Sequence, residues 1–360
     1  MGPRHTVSRE VDRRQPDAAV IAEAARLLRD GKLVVFPTET VYGLGAHAFD
    51  ASAVADVFMA KGRPSTDPLI VHIADAGALA ALAREIPAAA QALAGRFWPG
   101  PLTLILPKRS AVPDLVTAGL DSVAVRVPAH PVALALLAAA GVPVAAPSAN
   151  RFSRPSPTSA AHVLLDLDGR VDLVLDAGST DIGVESTIVD CTVSPPTVLR
   201  AGGVPCDALA EIVPGLRVAD AVTDVATAQV APGQLLRHYA PNARLTVYAG
   251  TPAAVVTRLA GEVRTHVGQG TRVGVLAPDD DLLALAPEIA AAAARGRVVT
   301  ATLGKRQDPA AAARVLFAAL RELDASGVDV IVASGPVVTG LGAAVWDRLR
   351  RASEGRVVQV

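Results

Sequence analysis

The chain has 360 residues, more than one ordinary core accommodates, so two domains are expected. Half of it is hydrophobic and 19% is charged, which excludes a disordered chain, and a net charge of −1 leaves no global footprint for nucleic acid or membrane. Two cysteines, Cys191 and Cys206, are too few for a disulfide framework or a zinc site and suit a reducing cytoplasm.

Residues 1–17 are polar and charged without an apolar h-region, so they read as a frayed arm and not as a secretory signal. From Ala18 to Arg29 apolar residues fall at helical spacing, with Gly31 as the stop. KLVVFPT reads as a buried strand, and Thr38, Glu39, Thr40 and Tyr42 follow into a turn with Gly43 and Gly45. DASAVADVFMAKGRP is a helix capped by Asp50 or Ser52 and ended by Gly62 and Pro64. The strand PLIVHIA, helices over Ala78–Glu85 and Ala88–Phe97, and the strand LTLILP come next. In SVAVRVP, Val123, Val125 and Val127 share one face and Ala124 and Arg126 the other. The longest apolar run, Val132 to Pro147, is broken by Gly141, Pro143 and Pro147. It falls short of the ~20 residues of a membrane span and reads as a helix, a turn and a strand. RVDLVLDAG, ESTIVDCT and TVLRAGG are further strands, several of them without a helix between, which predicts a mixed twisted sheet.

Periodicity lapses between Leu216 and Asn242, dividing the chain into an arm (1–17), a first domain (18–215), a linker (216–242) and a second domain (243–360). The second domain alternates the strands RLTVYAG, TRVGVLAP, GRVVTATLG and GVDVIVAS with helices near 253–259, 282–294 and 309–323. That pattern predicts a small Rossmann-like α/β layer. The linker ends in APGQLLRHYAPN, where Arg237, His238 and Tyr239 stand between Pro232 and Pro241.

Several stretches carry candidate chemistry. Lys61 and Arg63 stand two apart after a helix and can converge on one anion, although such a pair is commonly a solvated one. His72 shares a strand face with Ile70, the usual place of a core histidine. Arg126 inside a strand is costly to bury without an anion, either Asp or Glu of the protein or a substrate carboxylate or phosphate. Ser148, Asn150, Ser153 and Ser156 crowd a Pro-rich loop after a buried strand, where α/β proteins place ligands and where turn and capping roles are equally at home. Ser186 and Thr187 open a strand, and Arg200 follows in TVLRAGG. No P-loop, nucleophile elbow or H-E-x-x-H is present, and no nucleophile–base pair emerges. Four cations with many hydroxyls point to an anionic, phosphate-rich ligand.

Taken together, FPTETVYGLG, KGRP with PLIVHI, FWPGPLT, VAVRVPAHP, APSAN with SRPSPT, GVESTIVD and the arginine of VLRAGG resemble the YrdC-like family of L-threonylcarbamoyladenylate synthases, in the family's order. The tail beyond RHYAPN resembles the two-domain form. The resemblance implies an open α/β sheet around a concave basic cavity, and a synthase that converts L-threonine, bicarbonate and ATP to threonylcarbamoyl-AMP, pyrophosphate and water. The product would pass to a tRNA threonylcarbamoyl transferase complex for tRNAs reading ANN codons, with at most weak binding of tRNA itself. Lys61, Arg63 and Arg126 would be catalytic. Thr38, His72, Arg126 and Ser186 would hold threonine. Lys61, Arg63, Ser65, Ser122, Ser148, Asn150, Ser156, Arg200 and Tyr239 would line the ATP side, and Mg²⁺ would bridge the phosphates. Ala201 departs from the family's L-R-P-G, and Gln234, Leu235 and Leu236 depart from its linker pattern. The rival readings are an RNA-binding YrdC-like protein without synthase activity and a carbamoyl-phosphate-dependent maturation domain. Neutral charge and few aromatics count against the first, and two cysteines against the zinc modules of the second.

Overall fold

The computed structural model describes residues 4–219, 231–232 and 238–360. They divide into two compact units, one drawn from 1–152 and 156–235 and the other from 153–155 and 236–360.

The first unit is built on eleven strands: β1 (Val7–Glu10), β2 (Val34–Phe36), β3 (Gly43–His47), β4 (Ile70–His72), β5 (Leu102–Pro107), β6 (Ser122–Arg126), β7 (Val144–Ala145), β8 (Leu173–Asp176), β9 (Thr187–Asp190), β10 (Thr197–Arg200) and β11 (Arg217–Val218). They form one mixed sheet in the order β1-β8-β2-β3-β7-β4-β6-β5-β9-β10-β11. The pleat sorts the side chains. Val35, Val71, Leu104, Val123, Val125 and Val189 enter the main core on one face. On the other face Val34, Phe36 and Val144 pack under the helices Ala18–Arg29 and Pro131–Ala140 at one end of the sheet. At the other end Ile70, Ile105, Ala124 and Ile188 make a small apolar floor, on which Ala231 lies.

Three sequence expectations change. Residues 4–10 are not a frayed arm: β1 pairs in parallel with β8, and Arg4 forms ion pairs with Asp56 and Asp172. The segment with Gly43 and Gly45 is the strand β3, not a turn. A Cβ on Gly45 would lie 2.9 Å from the Phe36 ring, so glycine is required there by close packing between strands. Ala76–Ala81 forms a 3₁₀ turn in place of the first of the two short helices.

The second unit is an all-parallel sheet, β14-β13-β15-β12-β16, of β12 (Arg244–Ala249), β13 (Val273–Ala277), β14 (Val298–Thr302), β15 (Val330–Ala333) and β16 (Val357–Gln359). Its first helix runs through Gly261 to Gly268, and two shorter helices, Asp279–Ala284 and Ala286–Ala293, replace the one expected near 282–294. The helix Gly342–Ala352 and the three-residue strand β16 were not foreseen. Among the described residues no helix is long and apolar enough to cross a membrane.

Candidate active site

The site is assembled on the sheet face that carries the Ile70–Ile105–Ala124–Ile188 floor. His72, Arg126, Thr103 and Ser186 each stand two residues from one of these, so the pleat returns them to the same face. His72 and Arg126 are direct neighbours in the parallel β4–β6 register. Arg200 joins them through an irregularity. Plain alternation would place it with Val198 in the main core, but the register shifts between Val198 and Arg200 and sets Arg200 opposite Ile188. Bulges re-aim side chains in this way.

Arg126 is buried, and its partner is Glu39. Its Nη2 donates to Glu39 Oε1 at 2.6 Å, Nη1 to Thr40 Oγ1 at 3.0 Å, and Nε to the Gly100 carbonyl at 3.2 Å. The other oxygen of Glu39, Oε2, is buried without a hydrogen-bond partner. Thr38 Oγ1 lies 2.8 Å from Thr40 Oγ1 and donates to the Val41 carbonyl, so Thr38, Glu39, Thr40 and Arg126 form one network. This segment is hemmed in on both sides. The amides of Tyr42 and Leu44 donate to the carbonyls of Pro157 and Pro147 in the APSAN–SRPSPT stretch, and Ile182 and Gly183 donate to the carbonyls of Glu39 and Thr40. Tyr42 Oη donates to the Gly178 carbonyl at 2.7 Å, and burial pushes its phenol pKa up.

Ser186 bonds Thr103 Oγ1 at 2.8 Å and accepts from Arg200 Nη2 at 3.1 Å. Arg200 also donates to the Ser186 carbonyl and, through Nη1, to the Pro232 carbonyl at 3.1 Å. Gly202 makes this possible: a Cβ there would fall 2.4 Å from the Glu185 carbonyl oxygen. Ala201 in place of the family's proline leaves Arg200 on the site face. Ser156 Oγ donates to Glu185 Oε1, one residue before Ser186.

Lys61 is fully buried at the end of its helix, and its Nζ donates to the carbonyls of Ser148 (2.6 Å) and Asn150 (2.7 Å). Burial, and then the Arg63 charge, hold its pKa well below the ordinary lysine value. Arg63 pairs with Asp67 at 2.9 Å and donates to the carbonyls of Asp67 and Pro68.

His72 has its pKa lowered to about 3, by burial first and the Arg126 charge second, so its ring is neutral at physiological pH. Its Nδ1 is buried without a partner. Below 6.5 the unfolded imidazole takes a proton that the folded one refuses. The unfolded state then binds more protons, and stability falls as pH drops from 6.5 towards 3. We expect about 2 kcal/mol of stability to be lost between pH 6.5 and 5 through this group. Urea midpoints of wild type and His72→Gln across that window check it; parallel curves would contradict it.

Two expected residues stand apart. Ser65 is exposed in the turn before Asp67. Ser122 shares the Arg126 face but lies four residues away along β6, about 13 Å. Tyr239 belongs to the second unit. It is buried at φ 63°, its ring 4.0 Å from His238, 5.2 Å from Phe317 and beneath the Arg348 guanidinium at 5.6 Å. Arg237, Gln234, Leu235 and Leu236 lie outside the described residues. Glu39 and Thr40 were singled out with Thr38 in FPTETVYGLG but given no role, and Thr103 and Glu185 are the site residues that motif reading passed over. Thr103 had a signal, since it alternates with the core residues Leu102 and Leu104.

A family model described as telomere recombination matches residues 26–202, and one described as threonylcarbamoyl-AMP synthase, C-terminal domain, matches residues 204–354. The threonylcarbamoyl-AMP synthase of Pyrococcus abyssi (strain GE5 / Orsay) is 46% identical over 94% of this chain and 95% of its own length. The chain belongs to the threonylcarbamoyl-AMP synthase family. Bacillus subtilis (strain 168) has a synthase of this family that is 43% identical, with 94% of each chain covered. The crystal structure of P. abyssi Sua5 complexed with L-threonine matches with a TM-score of 0.90 at 44% identity, over 98% of this chain and 99% of that one. Membership of the synthase family makes this chain an enzyme and a transferase of tRNA processing. Among the described residues no group of three or more His, Cys, Asp or Glu could hold a metal ion.

Proposed function

We propose that the chain condenses L-threonine, bicarbonate and ATP to threonylcarbamoyl-AMP, releasing pyrophosphate and water. The observation that carries this is the convergence of Arg126, Arg200, His72, Ser186 and the Thr38–Thr40 hydroxyls on one sheet face. The reaction joins two anions. The N-carboxylate of threonine attacks the α-phosphorus of ATP, forming the mixed anhydride and expelling pyrophosphate. Fixed cations that offset the repulsion, and groups that hold the partners in line, supply the catalysis without a protein nucleophile.

On this reading threonine lies over Thr38, His72, Arg126 and Ser186. Arg126 uses three of its donor directions on Glu39, Thr40 and Gly100, which fixes its plane while leaving further N–H groups for the α-carboxylate. Neutral His72 offers a hydrogen-bonding nitrogen without adding charge. Lys61, Arg63, Ser148, Asn150, Ser156 and Arg200 take the nucleotide side, with Ser65 and Ser122 at its margins. Mg²⁺ would arrive on the phosphates of ATP as part of the substrate. The product then passes to a tRNA-modifying transferase in the cytoplasm.

Pyrophosphate release tests the proposal. It requires ATP, threonine and bicarbonate together. Turnover that persists unchanged when threonine is left out would sink it.

A further inference from the structure

Five strands of the first unit present one row of side chains across the site face. His72 pairs with Arg126 in the β4–β6 register, Thr103 with Ile188 in β5–β9, and Ile188 with Arg200 in β9–β10. The antiparallel β5–β6 register sets Leu104 opposite Val125, so one step further on Thr103 stands opposite Arg126. The row is therefore His72, Arg126, Thr103, Ile188, Arg200. Its two guanidinium groups spring from strands about 14 Å apart, three strand spacings, with the Thr103 hydroxyl between them.

A count of protons singles out that hydroxyl. Thr103 Oγ1 and Ser186 Oγ lie 2.8 Å apart, and both residues are buried. Two hydroxyls bring two protons, and only one of these can lie between the oxygens. Arg200 Nη2 also reaches Ser186 Oγ, at 3.1 Å, but a guanidinium only donates. The second proton thus has no acceptor among the described residues, and burial keeps water from it. Leaving a buried O–H unused is costly. Thr103 is enclosed completely, and Ser186 is the acceptor beside it, so the proton between the oxygens is that of Thr103. With Arg200 and Thr103 both donating to Ser186, the unused proton is that of Ser186. Arg126 beside it has N–H groups left over from Glu39, Thr40 and Gly100. The middle of the row offers donors only.

We propose that Thr103 is a positioning residue of the synthase reaction: it donates to Ser186 and so turns the Ser186 proton onto the α-carboxylate of threonine, beside the remaining N–H groups of Arg126. This rests on the reading that Arg126 and Ser186 hold threonine. A carboxylate carries acceptor sites on both oxygens and no proton at neutral pH, which suits donors arriving from two side chains. Without the Thr103 hydroxyl, Ser186 is anchored by Arg200 alone and its O–H turns freely. The nucleotide side is spared, because Arg200 keeps its bonds to the carbonyls of Ser186 and Pro232.

The test uses the full chain and initial rates of pyrophosphate release, with threonine and ATP varied separately. Thr103→Val keeps the branched shape and removes the hydroxyl. It should raise the KM for threonine about fivefold and leave the KM for ATP within about twofold of wild type. Thr103→Ser restores the hydroxyl and should return the threonine KM to within about twofold. Ser186→Ala should raise that KM about twentyfold, and adding Thr103→Val to it should raise it no further. A wild-type threonine KM in Thr103→Val overturns the proposal, and so does a serine variant no better than the valine one. Equal rises in both KM values, or a valine effect that persists in full beside Ser186→Ala, would make Thr103 a packing residue and overturn it as well. Thr103→Ala is read in the same way should the valine variant fail to fold. Ser186→Ala separates the two levels. If its threonine KM is unchanged, the threonine reading fails; if it rises while that of Thr103→Val does not, the role of Thr103 alone fails.

Discussion

Arg126→Ala is expected to lower threonine-dependent turnover by about 10³-fold, the size of effect produced when a fixed charge is removed from a dry site. The same change should destabilise the protein by about 3–5 kcal/mol, because Glu39 is left as a buried carboxylate without its cation. The two effects can be separated. Adding Glu39→Gln to Arg126→Ala removes the orphaned charge, so urea stability should recover while activity does not. Recovery of both, or near-normal kinetics in Arg126→Ala, would remove Arg126 from threonine binding and leave the pair as a structural one.

Lys61→Met is expected to raise the KM for ATP and lower kcat, with kcat/KM for ATP down about 10²-fold or more. Methionine matches the length of the lysine stem but leaves the carbonyls of Ser148 and Asn150 without their donor. Each buried carbonyl left unsatisfied costs about 1–3 kcal/mol, so the loop should relax as well as lose a charge. Lys61→Arg should not rescue, since the buried ammonium sits between two carbonyls and a guanidinium is larger and planar. ATP-dependent initial rates of the two variants check this. An arginine variant with wild-type kinetics would show that charge alone suffices at this position.

Much of this site was legible in the sequence because strand chemistry is periodic. SVAVRVP declared its two faces by alternation, and the cost of burying Arg126 called for an anion before any partner was visible. The partner proved to be Glu39, from the neighbouring TET segment, one of the two alternatives that the residue itself leaves open. Arg200 was recognisable by motif but not by pattern. A strict period of two puts it in the core, and only the shifted register returns it to the site face. β3 was hidden because glycines ordinarily mark turns, whereas here they admit the Phe36 ring between strands. The N-terminal strand was hidden because its partner, β8, lies far along the chain and its side chains are mostly exposed. The transfer of Ser153–Pro155 to the second unit has no local signature at all. It depends on Arg321 and Asp324, some 170 residues away, as the 170-residue separation of Arg154 from Asp324 shows.

The linker stretch APGQLLRHYAPN divides in the structure. Ala231 lies on the apolar floor of the site face and Pro232 accepts from Arg200, whereas Tyr239 packs on Phe317 and Arg348 in the second unit. His238 and Tyr239 therefore have physical work within the second unit, and the first end of the stretch reaches the site face through an alanine and a proline.

The proposed reaction joins the carbon of bicarbonate to threonine and hands the carboxylate to AMP. Mass spectrometry of a reaction run with isotopically labelled bicarbonate, threonine and ATP tests it most directly. Threonylcarbamoyl-AMP should appear carrying the label, in step with pyrophosphate, and should vanish in Arg126→Ala. ATP cleavage without a labelled nucleotide adduct would contradict it.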